Sequence, residues 1–159
     1  MSVNPVPSKY NTVSSYMFFK DAQAAMKFYA KAFGAEHDIC LSGPGGQGIL
    51  HAEMRIGNSI IMVSDENPRW GTQSAETLGG SPMSLHLYVE DCDALFDRAV
   101  EAGCTVIAPM DNQFWGDRMG KVSDPFGYQW AISSQVEALT PEEIGKRGEE
   151  WMQQMMGGA

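Results

Sequence analysis

One arrangement of residues occurs twice in this chain, with a spacing of 70 positions. Asp21 and Asp91 each follow an apolar run and precede a helical pattern, and Gly57 and Gly127 each mark a later turn. Self-similarity over such a distance is typical of a duplicated structural unit. Two half-size units would each build a poor hydrophobic core alone, so we expect them to share one core within the 159 residues.

The first unit predicts the order β-α-β-β-β. A strand-like run over residues 13–19 precedes Asp21, a favourable helix N-cap. Apolar residues then recur at helical spacing until Gly34, a residue that commonly ends helices. Three β-rich runs follow, at residues 37–42, 48–56 and 59–64.

The second unit repeats this order, which gives the chain its predicted organisation. Residues 66–81 are rich in Pro and Gly and are interpreted as a linker, and Thr140-Pro141 is a favourable start for a last helix. We therefore predict a single domain over residues 1–159, composed of a first module (12–65), a linker (66–81), a second module (82–135) and a C-terminal helix (140–156).

Charge and cysteine content limit the function classes. The net charge of -9 argues against a nucleic-acid partner, which would require a basic surface. No segment is long and apolar enough to span a bilayer, and the N-terminus lacks the pattern of a secretory signal. The three cysteines, Cys40, Cys92 and Cys104, fit reduced and buried thiols better than disulfides, so we predict a cytoplasmic protein.

Several short strings resemble those of one known superfamily. Phe28-Tyr29, Phe33-Gly34-Ala35 and Asp124-Pro125-Phe126-Gly127 resemble the vicinal oxygen chelate superfamily, which includes glyoxalase I, extradiol dioxygenases and bleomycin-binding proteins. The strings at residues 51–57, 84–89 and 114–118 look closest to its PhnB-like branch. The resemblance covers residues 14–134. It implies an α+β fold in which two βαβββ modules form a cup-shaped mixed sheet with the helices on its outer face, followed here by the C-terminal helix.

The resemblance also implies four symmetric positions for metal ligands. Catalytic members carry His or Glu there, and in this chain the positions fall at Ser14, Ile61, Ser84 and Ala131. Two hydroxyls and two apolar side chains are a poor ligand set for a divalent transition metal. We therefore expect no metal at the usual site and no other cofactor, and we expect a small organic ligand in the cup between the modules.

Candidate site residues follow from strand alternation around those positions. His86 lies on the face of Ser84 and is predicted to act as a general base or a ligand anchor, with a hydrogen-bonded core histidine as the equal alternative. Arg118 could clamp an anionic ligand group, or form a structural pair with Asp117. The remaining ligand-binding candidates, whose alternative role is core packing, are Ser14, Tyr16, Phe18, Ser84, Tyr88 and Trp115.

A metal site away from the usual positions is the alternative. His51 and Glu53 share a strand face and could hold a divalent metal together with His86, which would indicate a metal-dependent lyase, isomerase or dioxygenase. A two-residue hairpin at Gly57-Asn58 would place His51 and Glu53 on the face opposite Ile61, whereas one bulged residue would reverse this.

The last helix carries an apolar stripe that suggests assembly. Ile144, Trp151, Met152 and Met155 recur at helical spacing, and we expect them to dock on the body or on a second subunit. The sequence thus predicts a homodimeric protein that binds a small organic molecule.

Overall fold

The predicted duplication is present in the structure, a computed structural model that describes residues 3–157. The first two and last two residues of the predicted domain lie outside the described residues. The strands are β1 (Tyr16–Phe19), β2 (Glu36–Ser42), β3 (Ile49–Ile56), β4 (Ser59–Asp65), β5 (Ser84–Tyr88), β6 (Thr105–Asn112), β7 (Asp117–Ser123) and β8 (Gln129–Gln135). The helices are α1 (Ala22–Phe33), α2 (Ala75–Leu78), α3 (Cys92–Ala102) and α4 (Pro141–Gly157).

Each module forms its own four-stranded mixed sheet. The strand orders are β1-β4-β3-β2 and β5-β8-β7-β6, so the two sheets have the same topology. In each module the first strand pairs in parallel with the last strand. The other pairs of neighbouring strands are antiparallel. The α+β fold of two βαβββ modules with a C-terminal helix is therefore confirmed.

The long helices of the two modules begin at equivalent aspartates. Asp21 Oδ1 accepts a hydrogen bond from the amide of Ala24, and Asp91 Oδ1 accepts one from Ala94, each at 2.9 Å. These bonds satisfy amide groups that have no partner within the helix. At the other end of α1, Gly34 adopts φ +67°, a conformation that residues with a side chain rarely adopt.

The two modules share one hydrophobic core. Trp130 of β8 is fully buried and packs against Tyr29 and Phe33 of α1, with ring centroids 5.2 and 4.4 Å away. The buried carboxylate of Asp124 accepts hydrogen bonds from the Tyr29 hydroxyl at 2.6 Å and from Trp130 Nε1 at 2.9 Å. Burial raises the pKa of Asp124, although these hydrogen bonds oppose the effect.

The segment predicted as a linker contains ordered structure. Residues Pro68–Trp70 form a 3-10 turn and Ala75–Leu78 form α2, which starts at the fully buried Ser74. The Glu66 carboxylate accepts hydrogen bonds from the Ser74 amide at 2.7 Å and from the Thr77 hydroxyl at 2.8 Å. The Pro and Gly content did not predict this ordered structure, because the structure depends on hydrogen bonds to capping side chains.

Strand registers define a helix face and an open face in each sheet. The helix face carries the core, including Met17, Phe19, Val122 and Trp130. The open face of the first sheet includes Tyr16, Phe18, His51, Glu53 and Met62. The open face of the second sheet includes Ser84, His86, Tyr88, Asp117, Ala131 and Ser133.

The register corrects one predicted symmetric position. Ile56 pairs with Ser59, as expected for the two-residue hairpin, and Ile61 therefore lies on the helix face, where it is buried. Because Tyr16 pairs with Met62 and His86 pairs with Ala131, the counterpart of Ala131 is Met62. The prediction aligned Gly57 with Gly127. Because the turn before β8 is longer than the Gly57-Asn58 turn, this alignment is wrong by one residue in β4.

Two further expectations were wrong in detail. Cys40 is exposed, whereas Cys92 and Cys104 are buried as predicted. Trp115 precedes β7 and lies in a turn, not on the strand. In α4 the Trp151 ring contacts Phe114 of the body with centroids 5.6 Å apart, whereas Met152, Met155 and Met156 are exposed, and their docking on a second subunit stays a prediction. Within residues 3–157, no helix has both the length and the apolar character needed to cross a membrane.

Candidate functional site

A cleft of about 630 Å³ lies between the two modules, along β5. One wall comes from the first module and contains Ser14, Ile61 and the turn at Gly57 and Asn58. The other wall is the whole of β5 with Trp130 behind it. Of the predicted ligand-binding residues, the cleft brings together Ser14, Ser84, His86 and Tyr88.

His86 is held in place by a serine that the sequence reasoning missed. Its Nε2 lies 2.7 Å from the Oγ of Ser133, which is fully buried on the neighbouring strand β8. The imidazole also stacks on the Tyr88 ring, with centroids 4.8 Å apart and an angle of 9° between the planes. Since Ser133 occupies Nε2, it is Nδ1 that remains available to a ligand. Strand alternation from Ala131 could have identified Ser133, because it lies on the same face two residues later.

Tyr88 belongs to a second hydrogen-bonded group on this face. Its hydroxyl donates to Asp117 Oδ2 at 2.7 Å, and Trp115 Nε1 donates to the same oxygen at 3.0 Å. The bond to the Asp117 carboxylate raises the pKa of Tyr88. Trp115 therefore supports Tyr88 from behind and does not line the cleft.

Arg118 faces away from this site. It follows Asp117 on β7, so its side chain lies on the helix face, where Nε and Nη2 each donate to the Asp93 carboxylate at 2.7 Å. This pair lowers the pKa of Asp93. The predicted ligand clamp is thus engaged with α3, and its partner is Asp93 instead of Asp117.

The open face of the first sheet has a different character, because the N-terminal segment covers it. Glu53 is 2% exposed, and its carboxylate accepts hydrogen bonds from Lys9 Nζ at 2.6 Å and from the Tyr10 hydroxyl at 2.5 Å. Burial alone would raise the pKa of Glu53, but the bonds from Lys9, Tyr10 and His51 lower it to about 2. The bond to Glu53 in turn raises the pKa of Lys9.

His51 and Glu53 share this open face, as the hairpin register predicts. The Tyr16 hydroxyl lies 3.0 Å from His51 Nδ1, and His51 Nε2 lies 3.4 Å from Glu53 Oε1. Phe18 stacks on Tyr16 beside them. His86 is bound to Ser133 in the other module and does not join them, and no group of three or more His, Cys, Asp or Glu side chains among residues 3–157 could hold a metal ion.

The residues at the symmetric positions do not fit the metal of the fold family. Ser14, Met62, Ser84 and Ala131 offer two neutral hydroxyls, one thioether and one methyl group. Divalent transition metals are held by imidazole, carboxylate or thiolate ligands, which this set lacks. The arrangement supports hydrogen bonding and aromatic packing instead.

This fold agrees with what comparisons with known proteins show. A family model for the Glyoxalase/Bleomycin resistance protein/Dioxygenase superfamily matches residues 11–132, and the chain belongs to that superfamily. An uncharacterised protein from Mycobacterium tuberculosis is 37% identical over 147 residues, which cover 91% of this chain and 84% of that protein.

Two solved structures show the same fold. TioX from a Micromonospora species has a TM-score of 0.63 and 23% identity, and the match covers 79% of this chain and 99% of TioX. A PhnB protein from Bacillus cereus has a TM-score of 0.61 and 17% identity, covering 78% and 99%. Both identities are low, so these structures support the fold alone.

Proposed function

We propose that this protein binds a small organic molecule in the cleft between its modules. The supporting observation is the combination of an apolar cleft of about 630 Å³ with a fixed imidazole on its wall. A concave, mostly apolar pocket with a few well-placed polar groups is the usual form of a small-molecule site. Membership of the Glyoxalase/Bleomycin resistance protein/Dioxygenase superfamily is consistent with this role.

His86 is the polar anchor in this proposal. Its ring is fixed by Ser133 on one edge and by Tyr88 on one face, so little side-chain entropy is lost when Nδ1 contacts a ligand. If the Ser133 hydroxyl donates to Nε2, Nδ1 carries the proton and donates to the ligand. In the other tautomer Nδ1 is unprotonated and could accept a proton as a general base.

The proposed ligand binds without a metal at the four symmetric positions, because those side chains lack suitable donors. We further propose a homodimer in the cytoplasm. The exposed Met152, Met155 and Met156 of α4 offer an adaptable contact surface, and the unpaired cysteines fit a reducing compartment.

Ligand binding can be tested by NMR with a small library of aromatic and aliphatic fragments. We expect the amide resonances of residues 84–89 to shift, and the His86→Ala variant to bind the best fragment about tenfold more weakly. His37→Ala is the matched control, because His37 is exposed on β2. If no fragment shifts these resonances, the proposal is wrong.

The metal-free character has its own measurement. Protein purified without a chelator should contain less than one equivalent of divalent metal, and a chelator should leave fragment binding unchanged. One equivalent per chain that disappears in His86→Ala would instead support the metal-dependent alternative.

A further inference from the structure

The two modules meet at two related junctions, the turn before β8 against β1 and the turn before β4 against β5. Among residues 3–157, a large side chain fills only the first of them. At the filled junction Tyr128 approaches β1. Its hydroxyl donates to the carbonyl oxygen of Phe18 at 2.8 Å and accepts from the amide of Phe18 at 3.2 Å. The Tyr128 hydroxyl therefore satisfies both the amide and the carbonyl group of Phe18, at the free edge of β1.

The backbone geometry explains why Phe18 is available to Tyr128. The carbonyl group of Ser15 accepts from Met62 of β4, and that of Phe19 accepts from Glu66, the residue after β4. Alternate residues of β1 therefore point toward β4. Phe18 lies between these positions, and its amide and carbonyl groups point to the opposite edge. The Tyr128 ring then packs on Phe19, with centroids 5.3 Å apart.

Tyr88 is the counterpart of Phe18, 70 residues later and at the same register in the second sheet. Val89 donates its amide to the Ser133 carbonyl, so the backbone groups of Tyr88 point to the free edge of β5. In the described part of the chain β5 pairs only with β8. The chain thus has an equivalent backbone donor and acceptor at Phe18 and at Tyr88.

At the second junction, the residue in the position equivalent to Tyr128 is small. Asn58 follows Gly57 as Tyr128 follows Gly127, and by strand register the counterpart of Tyr128 is Ser59. Both Asn58 and Ser59 line the cleft, together with Tyr88. A methyl group placed on Gly57 would meet no described atom within 4 Å, so the space there is open.

We propose that the cleft recognises a phenol, that is, a hydroxylated aromatic ring bound as Tyr128 is bound at the other junction. The ligand hydroxyl would donate to the carbonyl oxygen of Tyr88 and accept from its amide. Ile61, Leu85 and Leu87 provide apolar contacts for the ring. This inference rests on the proposed ligand-binding function and specifies its ligand class.

The test compares p-cresol with 4-methylanisole, which has nearly the same ring but cannot donate a hydrogen bond. By NMR we expect p-cresol to shift the amides of Tyr88 and Val89 with a dissociation constant of about 1 mM, within the range for so small a ligand. The loss of the donated bond should weaken 4-methylanisole by about tenfold. The Ser59→Tyr variant, which supplies its own phenol at the counterpart of Tyr128, should abolish p-cresol binding, and Lys27→Tyr, at an exposed position of α1, should not.

The contrary outcomes are distinct. Equal affinity for the two probes, or full p-cresol binding by Ser59→Tyr, would overturn the phenol inference and leave the proposed ligand-binding function standing. A p-cresol titration that moves no amide in residues 84–89 would also overturn it. The broader function fails separately, when the whole fragment library leaves those amides unchanged.

Discussion

The open faces of the two sheets each bury a carboxylate, but they satisfy it by different means. In the first sheet Glu53 is bound by Lys9 and Tyr10, which belong to a segment outside the module. In the second sheet Asp117 is 4% exposed and is bound by Tyr88 and Trp115, which belong to the module itself. The open face of the first sheet is therefore covered by Lys9 of the N-terminal segment, whereas that of the second sheet remains open beside His86.

This difference indicates which face can accept a ligand. Glu53 requires a cation because its carboxylate is ionised and shielded from water, and Lys9 provides it. Asp117 is instead bound by neutral donors, the aromatic side chains of Tyr88 and Trp115. The first face is already occupied by the chain's own groups, whereas the cleft beside the second face has no such occupant among residues 3–157.

The largest expected effect on stability comes from removing the Tyr128 side chain, which fills the junction with β1. Tyr128→Ala removes two hydrogen bonds to Phe18 and the packing on Phe19, and we expect the free energy of unfolding to fall by about 2–4 kcal/mol. Urea unfolding measures the loss, and p-cresol should restore part of it by occupying the new space. Asn58→Ala is the control at the open junction, with a change below about 0.5 kcal/mol. Equal losses in both variants would remove the distinction between the junctions.

A second expectation compares the two carboxylates directly. Glu53→Gln presents an amide donor to the Lys9 ammonium, and we expect a loss of about 2 kcal/mol at neutral pH. Asp117→Asn should cost less than about 1 kcal/mol, because Tyr88 and Trp115 both donate to one oxygen and the amide oxygen can accept both bonds. The same urea assay measures both variants. A larger loss for Asp117→Asn would contradict the assigned difference.

The pH dependence of stability should reveal Glu53. Its pKa is lowered from its ordinary value of 4.5 to about 2, so between these values the unfolded chain binds more protons than the folded chain. Stability contributed by Glu53 is therefore complete above about pH 4.5 and is lost as the pH falls toward 2. Unfolding midpoints measured across this range should fall more steeply for the native chain than for Glu53→Gln. Parallel curves would show that Glu53 does not titrate in this way.

The smallest expected effect concerns the N-terminal cover itself. In the described chain, the hydrogen bonds that join residues 3–13 to the rest of the protein come from Lys9 and Tyr10. Lys9→Ala should increase the backbone mobility of this segment in NMR relaxation measurements. Lys27→Ala, at an exposed position of α1, should leave it unchanged. Unaltered relaxation in Lys9→Ala would show that Tyr10 alone holds the cover.

The sequence predicted the fold well because its signals are local. The aspartate caps, the glycine stops and the repeat spacing each depend on neighbouring residues, and they located α1, α3 and the strands of both modules, but not α2. The strand faces of His51, Glu53 and His86 also followed from alternation. The pairing of Ile61 with Ala131 failed because two turns of different length shift the register by one residue.

Long-range contacts in the site could not be predicted in the same way. The bonds from Lys9 to Glu53 and from Arg118 to Asp93 join residues 44 and 25 positions apart, and no spacing rule connects such pairs. Ser133 was accessible in principle, since it shares a face with Ala131. The N-terminal segment carries no periodic pattern, so its position over the first sheet depends on tertiary structure alone.

The hydrogen bond from Tyr29 to Asp124 has a consequence for the history of the duplication. Tyr29 belongs to the first half of the chain and its acceptor belongs to the second, and both groups are buried. If the halves are expressed as separate fragments, Asp124 keeps the bond from Trp130 of its own half, whereas Tyr29 loses its acceptor. The first repeat has therefore come to depend on the second for one buried hydrogen bond, which a gene cut between them would remove.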